Sequence, residues 1–322
     1  MSLPRIFTSE QDIAINRADC DTLGYLHIPY QRTAFKSAWR YIKLHDEYLW
    51  RKPQTQHNII LDGSNECSHH KLYEAMDALG SEKHIVTMGN RATRLQHDVM
   101  LDTFLLETLH RCETDQPLCD VALANRGDRI LLTTGRLDRA GWRLPFLREI
   151  YRHPRLRDRM LMSLGRHNLR SLGNKGFSKW LKEHKKPLDK NPLDSTLLCG
   201  WPCDPEIYAR SRLQIVIETE SPLSPMSFVT EKTYRAIAMA SPFVWIGSRR
   251  ARQYLEEQGF AFYHDFIYNP HEFIKAIDGV LNTDIQTLEN KTQNNKQLFF
   301  DLAKDHRKTV RKLLVDKIST KY

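Results

Sequence analysis

Two short runs in the C-terminal half of the chain are almost uninterrupted by polar residues. They lie at 213–217 and 243–246 and are rich in β-branched or aromatic residues, which is typical of strands buried on both faces of a sheet. Between them, Thr230 is a suitable N-cap for a helix that begins at Glu231. Apolar positions of that helix repeat at helical spacing, at Tyr234, Ile237 and Ala238. The order of strand, polar loop, helix and strand predicts one βαβ unit.

Apolar runs and amphipathic stretches alternate through the rest of the chain as well. This pattern predicts strands at 25–30, 58–61, 84–88, 129–134 and 261–263. It predicts helices at 34–50, 69–79, 95–112, 145–152, 252–258, 270–281 and 285–317. Residues 119–124 fit either one more strand or a link between domains. Alternating β and α elements are typical of doubly wound sheets, so we predict the α/β fold class.

A chain of 322 residues is longer than one ordinary domain and suits two. We expect a Rossmann-like N-terminal domain at 1–125, a Rossmann-like C-terminal domain at 126–285 and a helical tail at 286–322. Hydrophobic residues make up 41% of the sequence and charged residues 27%, as in soluble globular proteins. No run approaches the roughly 18 apolar residues of a membrane-spanning helix, and the first residues contain no apolar signal segment. We therefore expect a cytoplasmic protein.

The net charge is +9, and basic residues are concentrated between 136 and 190. Acidic residues are scarce there, and aromatic residues such as Phe177 and Trp180 are interleaved. Such a stretch fits either a solvated basic face or a surface that follows a phosphate backbone. On the second interpretation, the candidate contacts to DNA or another anionic acceptor are Lys179, Lys182 and Lys185.

One motif carries a family resemblance. Glu218, followed by 228–233 (Phe-Val-Thr-Glu-Lys-Thr), Pro242 and Gly247, resembles the donor-binding motif of the α-1,3-fucosyltransferase family. It is also similar to a broader set of nucleotide-sugar glycosyltransferases, many of them in phage and bacterial genomes. An upstream segment resembles the family's first C-domain strand, Arg-rich turn and first helix: 131–136, Arg143, 145–151 and Ser163. The matches cover about a third of the chain. The family's usual Asn after the acidic strand end is absent between Glu218 and Phe228, so the resemblance does not identify the donor sugar.

The resemblance implies the two-domain architecture called GT-B, in which two Rossmann-like domains face a cleft. It places the donor on the C-terminal domain, the acceptor on the N-terminal domain, and the last helix back against the N-terminal domain. It assigns Glu231 to the ribose hydroxyls and Lys232 to the diphosphate of a nucleotide sugar, UDP- or GDP-linked. If the protein is phage-encoded, the expected location is the host cytoplasm.

The chemistry of sugar transfer suggests further residues. The leaving diphosphate needs positive charge, for which Lys232, Arg136 and Arg143 are candidates, and Thr230 lies in the same donor motif. Glu218 and Glu220 follow a strand and are suited to orienting the sugar. A general base should come from the N-terminal half, where Asp62, Glu66 and His69 follow a predicted strand. No paired acids lie at metal-ligand spacing, so we expect no essential metal and no other cofactor.

Three interpretations of the function stay open from the sequence. The first is a glycosyltransferase whose acceptor is a hydroxymethylated base in phage DNA, which accounts for both the motif and the basic stretch. The second is a glycosyltransferase that acts on a glycan or lipopolysaccharide. The third is a nucleic-acid-binding protein without catalysis, which leaves the motif at Glu231 and Lys232 unexplained. A kinase of the phosphate-loop type is disfavoured, because no GxxxxGK[ST] sequence occurs.

Overall fold

The computed structural model describes residues 6–7, 14–15, 25–29, 58–62, 83–88, 99–114, 118–134, 141–164, 175–183, 205–225 and 227–319. The chain divides into two compact units. The first consists of Met1–Glu107 with Ala303–Tyr322, and the second of Thr108–Leu302.

The first unit contains a parallel sheet of four strands. In chain order and in sheet order these are β3 (Tyr25–Pro29), β4 (Asn58–Asp62), β5 (Lys83–Met88) and β6 (Val99–Leu101). A separate antiparallel pair precedes them, β1 (Ile6–Phe7) and β2 (Ala14–Ile15). The predicted strands at 25–30, 58–61 and 84–88 are confirmed, whereas the predicted helices at 34–50 and 69–79 lie outside the described residues.

The predicted helix at 95–112 is wrong in its first part. Residues Val99–Leu101 form strand β6, and helix α1 occupies Thr103–Thr114. Asp102 separates the two: its side chain accepts a hydrogen bond from the N–H of Leu105 at 3.0 Å, which stabilises the start of the helix. The apolar residues of β6 and of α1 together have the spacing of one helical face, which explains why the sequence predicts a single helix.

The second unit is built on another parallel sheet of four strands. These are β7 (Arg129–Thr134), β8 (Met160–Leu164), β9 (Ser211–Ile217) and β10 (Phe243–Ile246), in the spatial order β10-β9-β7-β8. The chain moves from β7 to β8 on one side and then returns to β9 on the other side. The strand order therefore reverses between β7 and β9, at the centre of the sheet.

Helices cover both faces of this second sheet. The helices after β7 are, in chain order, α2 (Leu144–Arg152), α3 (Pro154–Arg157), α4 (Lys175–Glu183), α5 (Pro205–Ala209), α6 (Glu231–Ala238), α7 (Arg249–Glu257), α8 (Pro270–Asn282) and α9 (Ile285–Ser319), of which the residues from 303 onward belong to the first unit. On one face, Leu132 and Ile215 pack in a cluster with Leu147 of α2 and Phe273 of α8. On the other face, Leu131 packs with Tyr208 of α5 and Met239. Burial on both faces explains why these strands lack polar alternation.

The fold class is confirmed: the protein is α/β, with two parallel sheets and a C-terminal helix. The predicted strand at 261–263 is wrong, because the side chain of Asn295 forms hydrogen bonds with both the N–H and the C=O of Ala261, at 2.9 and 2.8 Å. Residues 119–124 form no strand, and the last two of them begin a short 3-10 turn, Leu123–Asn125. Within the described part of the chain, every helix is too short or too polar to span a bilayer.

Candidate functional site

The candidate site lies at the carboxyl edge of the second sheet, where the strand order reverses. Ligands of open α/β sheets commonly bind in the crevice at such a reversal, because neighbouring crossovers diverge to opposite faces there. Strand β7 ends there at Thr134, and Glu218 follows directly after β9. The N–H of Glu218 donates to the carbonyl of Ile246, 2.8 Å away, so the end of β10 lies beside it.

Glu218 is fully buried and its carboxylate connects the end of β9 to the start of α6. One oxygen, Oε1, accepts hydrogen bonds from the N–H of Thr230 at 3.0 Å and from the hydroxyl of Thr233. The other, Oε2, accepts from the hydroxyl of Thr230 at 2.7 Å and from the N–H of Thr219 at 3.2 Å. Both oxygens are therefore occupied within the chain, and Glu218 fixes the first turn of α6.

The side chain of Arg143 binds both Thr134, at the end of β7, and Glu218, just after β9. Its Nε and Nη2 donate to the backbone carbonyl of Glu218 at 3.1 and 2.6 Å, and its Nη1 donates to Thr134 Oγ1 at 3.1 Å. Burial lowers the pKa of Arg143, and the nearby carboxylates of Glu218, Glu231 and Glu220 oppose that shift. A single buried guanidinium thus spans the reversal between β7 and β9.

The first turn of α6 contains a charged pair that is largely buried. Thr230 is the N-cap and its hydroxyl accepts from the N–H of Lys232. The Nζ of Lys232 donates to Thr230 Oγ1 at 3.0 Å and to Glu231 Oε1 at 3.1 Å, with the two charged side chains 11% and 17% exposed. Burial acts to raise the pKa of Glu231, but the charges of Lys232 and Arg235 lower it below its ordinary value. Glu231 is therefore ionised at neutral pH.

Trp245 and Gly247 pack behind this turn. The indole N–H of Trp245 donates to Thr233 Oγ1 at 3.0 Å. The hydroxyl of Thr233 in turn donates to Glu218, so Thr233 links the ring to the buried carboxylate. A Cβ atom at Gly247 would lie 2.6 Å from two carbons of the Trp245 ring and 3.0 Å from the Cβ of Glu218. The position requires glycine because its neighbours leave no room for a side chain.

The formal charges around this turn cancel. Three carboxylates lie near three cations: Glu218, Glu220 and Glu231 with Arg143, Lys232 and Arg235. A doubly charged diphosphate would need further positive charge to balance it. Among the described residues, no three His, Cys, Asp or Glu side chains are grouped so that they could hold a metal ion.

The structure brings most of the predicted donor-site residues together. These are Arg143, Glu218, Glu220, Thr230, Glu231 and Lys232. Glu220 is partly buried and accepts from the hydroxyl of Ser224 at 2.8 Å. Arg136, Glu66, His69 and Lys185 lie outside the described residues. Asp62 is the last residue of β4, in the first unit. The sequence assigns no role to Thr134, Thr233 or Trp245, although the first two lie within the segments 131–136 and 228–233 that carry the family resemblance.

Two aromatic residues of the basic stretch, Phe177 and Trp180, are not on the surface. Phe177 is fully buried and Trp180 nearly so, and both pack against Tyr151 with ring centroids 5.6 and 5.5 Å apart. They anchor α4 to α2 and are not free to stack on bases. Lys179 of α4 is 79% exposed and lies 3.8 Å from Glu183.

No protein-family model matches the chain, and no curated protein matches it. Several solved structures are similar. An α,α-trehalose-phosphate synthase (UDP-forming) from Burkholderia vietnamiensis is 14% identical, over 92% of this chain and 68% of that chain, with a TM-score of 0.37. A UDP-forming α,α-trehalose-phosphate synthase from Burkholderia xenovorans is 10% identical, over 90% and 80%, with a TM-score of 0.46. An E. coli structure described as trehalose-6-phosphate bound with UDP-2-fluoro glucose is 13% identical, over 90% and 79%, with a TM-score of 0.44. All three likenesses are remote.

Proposed function

We propose that the protein is a glycosyltransferase that binds a nucleotide-diphosphate sugar at the carboxyl edge of its second sheet. The observation that carries this proposal is the fixed first turn of α6. Glu218 holds that turn and Arg143 holds the adjoining strand ends at the reversal of strand order, and the side chains of Lys232 and Glu231 keep 11% and 17% of their surface exposed. The position suits a phosphorylated ligand, and the residues are those of the fucosyltransferase-like motif.

Each residue of the first turn has a role in this proposal. Lys232 exchanges its hydrogen bond to Glu231 for one to the diphosphate, where negative charge develops as the sugar departs. Glu231 is ionised and accepts hydrogen bonds from ribose hydroxyls. Since the local charges cancel, Arg136 in the segment after β7 supplies the additional positive charge. Both carboxylate oxygens of Glu218 already accept hydrogen bonds, so its role is to position Thr230 and Thr233. The carboxylate that orients the sugar is then that of Glu220.

The general base, which removes the proton from the acceptor hydroxyl, is proposed to lie in the first unit. Asp62 ends a strand of a parallel sheet, which is a common position for a functional carboxylate, and Glu66 and His69 follow it in the sequence. Replacement of the base should reduce kcat and leave donor binding unchanged. Asp62→Asn, assayed beside Glu66→Gln and His69→Gln, identifies which residue has that effect.

For the acceptor itself we propose a hydroxymethylated base in duplex DNA, with Lys179, Lys182 and Lys185 on the phosphate backbone. The exposed lysine face of α4 supports this. Phosphate contacts release counterions, so DNA affinity should fall steeply between low and physiological salt. Charge reversal of the three lysines should weaken DNA binding while nucleotide-sugar binding persists. No DNA affinity at low salt would favour a glycan or lipopolysaccharide acceptor. DNA binding without any nucleotide-sugar binding would favour a non-catalytic nucleic-acid-binding protein.

The deciding experiment for the enzyme is a thermal-shift screen with UDP-, GDP-, CMP- and dTDP-sugars, followed by a search for nucleotide release. We expect one nucleotide class to raise the midpoint of unfolding, since a ligand that binds only the folded state stabilises it. The shift and the release should both persist in EDTA, because the proposal includes no metal. Failure of every nucleotide sugar to shift the midpoint contradicts the proposed function.

A further inference from the structure

Tyr268 is the one aromatic side chain that is exposed among the described side chains, at 45% of its surface. It is nevertheless held in place. Its ring packs edge-on against Phe266 with centroids 4.6 Å apart, and its backbone N–H donates to Glu272 Oε2 at 2.7 Å. An exposed ring that is fixed by its neighbours loses little freedom when a flat ligand stacks on it.

A cation lies over the same ring. The guanidinium carbon of Arg249 is 5.9 Å from the centroid of Tyr268, within the range of a cation–π contact. Arg249 and the adjacent Arg250 are both exposed, and neither makes an ion pair with any described residue. The surface formed by Arg249, Arg250, Phe266 and Tyr268 thus combines a flat aromatic face with two exposed arginines, next to the carboxylate of Glu272.

This surface borders the candidate donor site. Arg249 comes three residues after Ile246, whose carbonyl accepts the N–H of Glu218. The hydroxyl of Ser227, in the loop that leads to Thr230, lies 3.4 Å from the carbonyl of Arg250 and donates to it. The loop after β9 and the start of α7 are therefore in contact, and both lie at the carboxyl edge of the sheet.

We propose that Tyr268, with Arg249 over its ring, is the stacking subsite for the nucleobase of the donor. This inference rests on the proposed function. Nucleobases stack on aromatic rings and on guanidinium planes, and the base must lie at some distance from the diphosphate, which the proposed function places at Lys232. Inorganic phosphate and pyrophosphate have no flat apolar face and gain nothing from Tyr268. The subsite therefore distinguishes nucleoside diphosphates from inorganic pyrophosphate.

The test measures the affinity of the full-length protein for UDP, GDP, CDP, dTDP and inorganic pyrophosphate by calorimetry. Tyr268→Ala should weaken binding of the preferred nucleoside diphosphate about ten-fold, as expected when a base loses its aromatic partner. Pyrophosphate affinity should be unchanged. Tyr268→Phe keeps the ring and should stay within about two-fold of the wild type. Val121→Ala, at another exposed apolar side chain, is the control and should change nothing.

The possible outcomes separate the two proposals. If the wild type binds none of the nucleoside diphosphates, the proposed function and the subsite are both overturned. If the wild type binds one of them and Tyr268→Ala binds it equally well, only the stacking subsite is overturned. An equal loss of pyrophosphate and nucleotide affinity in Tyr268→Ala also overturns it, because the effect then lies in the phosphate site. Thermal melting of each variant confirms that the fold is retained.

Discussion

Arg143 donates two hydrogen bonds to the backbone carbonyl of Glu218, at 3.1 and 2.6 Å, although the two residues are 75 positions apart in the sequence. A third bond from the same guanidinium reaches Thr134 at the end of β7. The side chain of Arg143 therefore links the ends of β7 and β9 at the carboxyl edge of the second sheet. The geometry depends on the planar, branched donor set of arginine.

Arg143→Lys should lower the free energy of unfolding by about 1–3 kcal/mol, because a single ammonium cannot make all three bonds and buried acceptors are left unsatisfied. The variant should also bind nucleotide more weakly. Urea denaturation measures the first effect and calorimetry the second. Arg155→Lys, at an exposed position of α3, is the matched control. Equal midpoints for both variants and the wild type would contradict the structural role of Arg143.

Gly247→Ala should destabilise the protein by about 1–3 kcal/mol, the usual cost of forcing extra volume into a packed region. The new methyl group would lie 2.6 Å from the Trp245 ring and 3.0 Å from the Cβ of Glu218. Gly279→Ala is the matched control, because a Cβ there meets nothing within 4 Å. Gly279 lies inside α8, so alanine should stabilise that helix by about 0.5–1 kcal/mol. Thermal unfolding of both variants checks the opposite signs.

Lys232→Ala and Glu231→Ala should each weaken nucleotide binding by about 1–3 kcal/mol, the range for a hydrogen bond to a charged group. Titration calorimetry with the nucleotide found in the screen gives the affinities. Lys275→Ala, which removes an exposed lysine of α8 in the same unit, controls for the loss of one positive charge. Nucleotide affinity that is the same in all three variants would exclude the first turn of α6 from the donor site.

His264 should make stability depend on pH. Its Nε2 accepts the N–H of Trp245 at 2.9 Å, and its Nδ1 donates to the carbonyl of Asp265. Burial lowers the pKa of His264 from 6.5 to about 4. Between these values the unfolded chain binds a proton that the folded protein does not, so the free energy of unfolding falls as pH decreases. Above the unfolded pKa the contribution is fully present, and below the folded pKa it is lost.

The measurement is chemical denaturation of the wild type and His264→Gln at several pH values between 7 and 4. Other titrating groups affect both proteins alike, so the difference between the two curves isolates His264. We expect the wild type to lose more stability than the variant across the window. Parallel curves would show that His264 titrates as it does in an unfolded chain.

Local signals were sufficient for the βαβ unit that carries the site. The buried run of β9, the cap at Thr230 and the apolar run of β10 were predicted within two residues of their observed bounds. Gly259 comes directly after the helix predicted at 252–258 and has φ of +94°, a conformation that favours glycine. Such signals are readable because the residues involved are close together in the chain.

Contacts between distant residues could not be predicted in the same way. Ala261 begins an apolar run like that of a strand, yet its backbone N–H and C=O form hydrogen bonds with the side chain of Asn295, 34 positions later. Glu218 follows a strand like a ligand-binding acid, but Thr230 and Thr233 occupy its oxygens. Sequence patterns identify the types of residue at a strand end, whereas the partners are determined by packing.

The fluorescence of the Trp245 indole can report on the occupancy of the site. Its N–H is hydrogen-bonded to Thr233, which in turn donates to Glu218 at the start of α6. A ligand that rearranges this turn alters the electric field at the ring and hence the wavelength of its emission. The ring is buried, with 1% exposure, so solvent quenchers reach it poorly. A change in quencher-resistant fluorescence on adding nucleotide that is absent from Trp245→Phe would follow occupancy of the site without any chemical label.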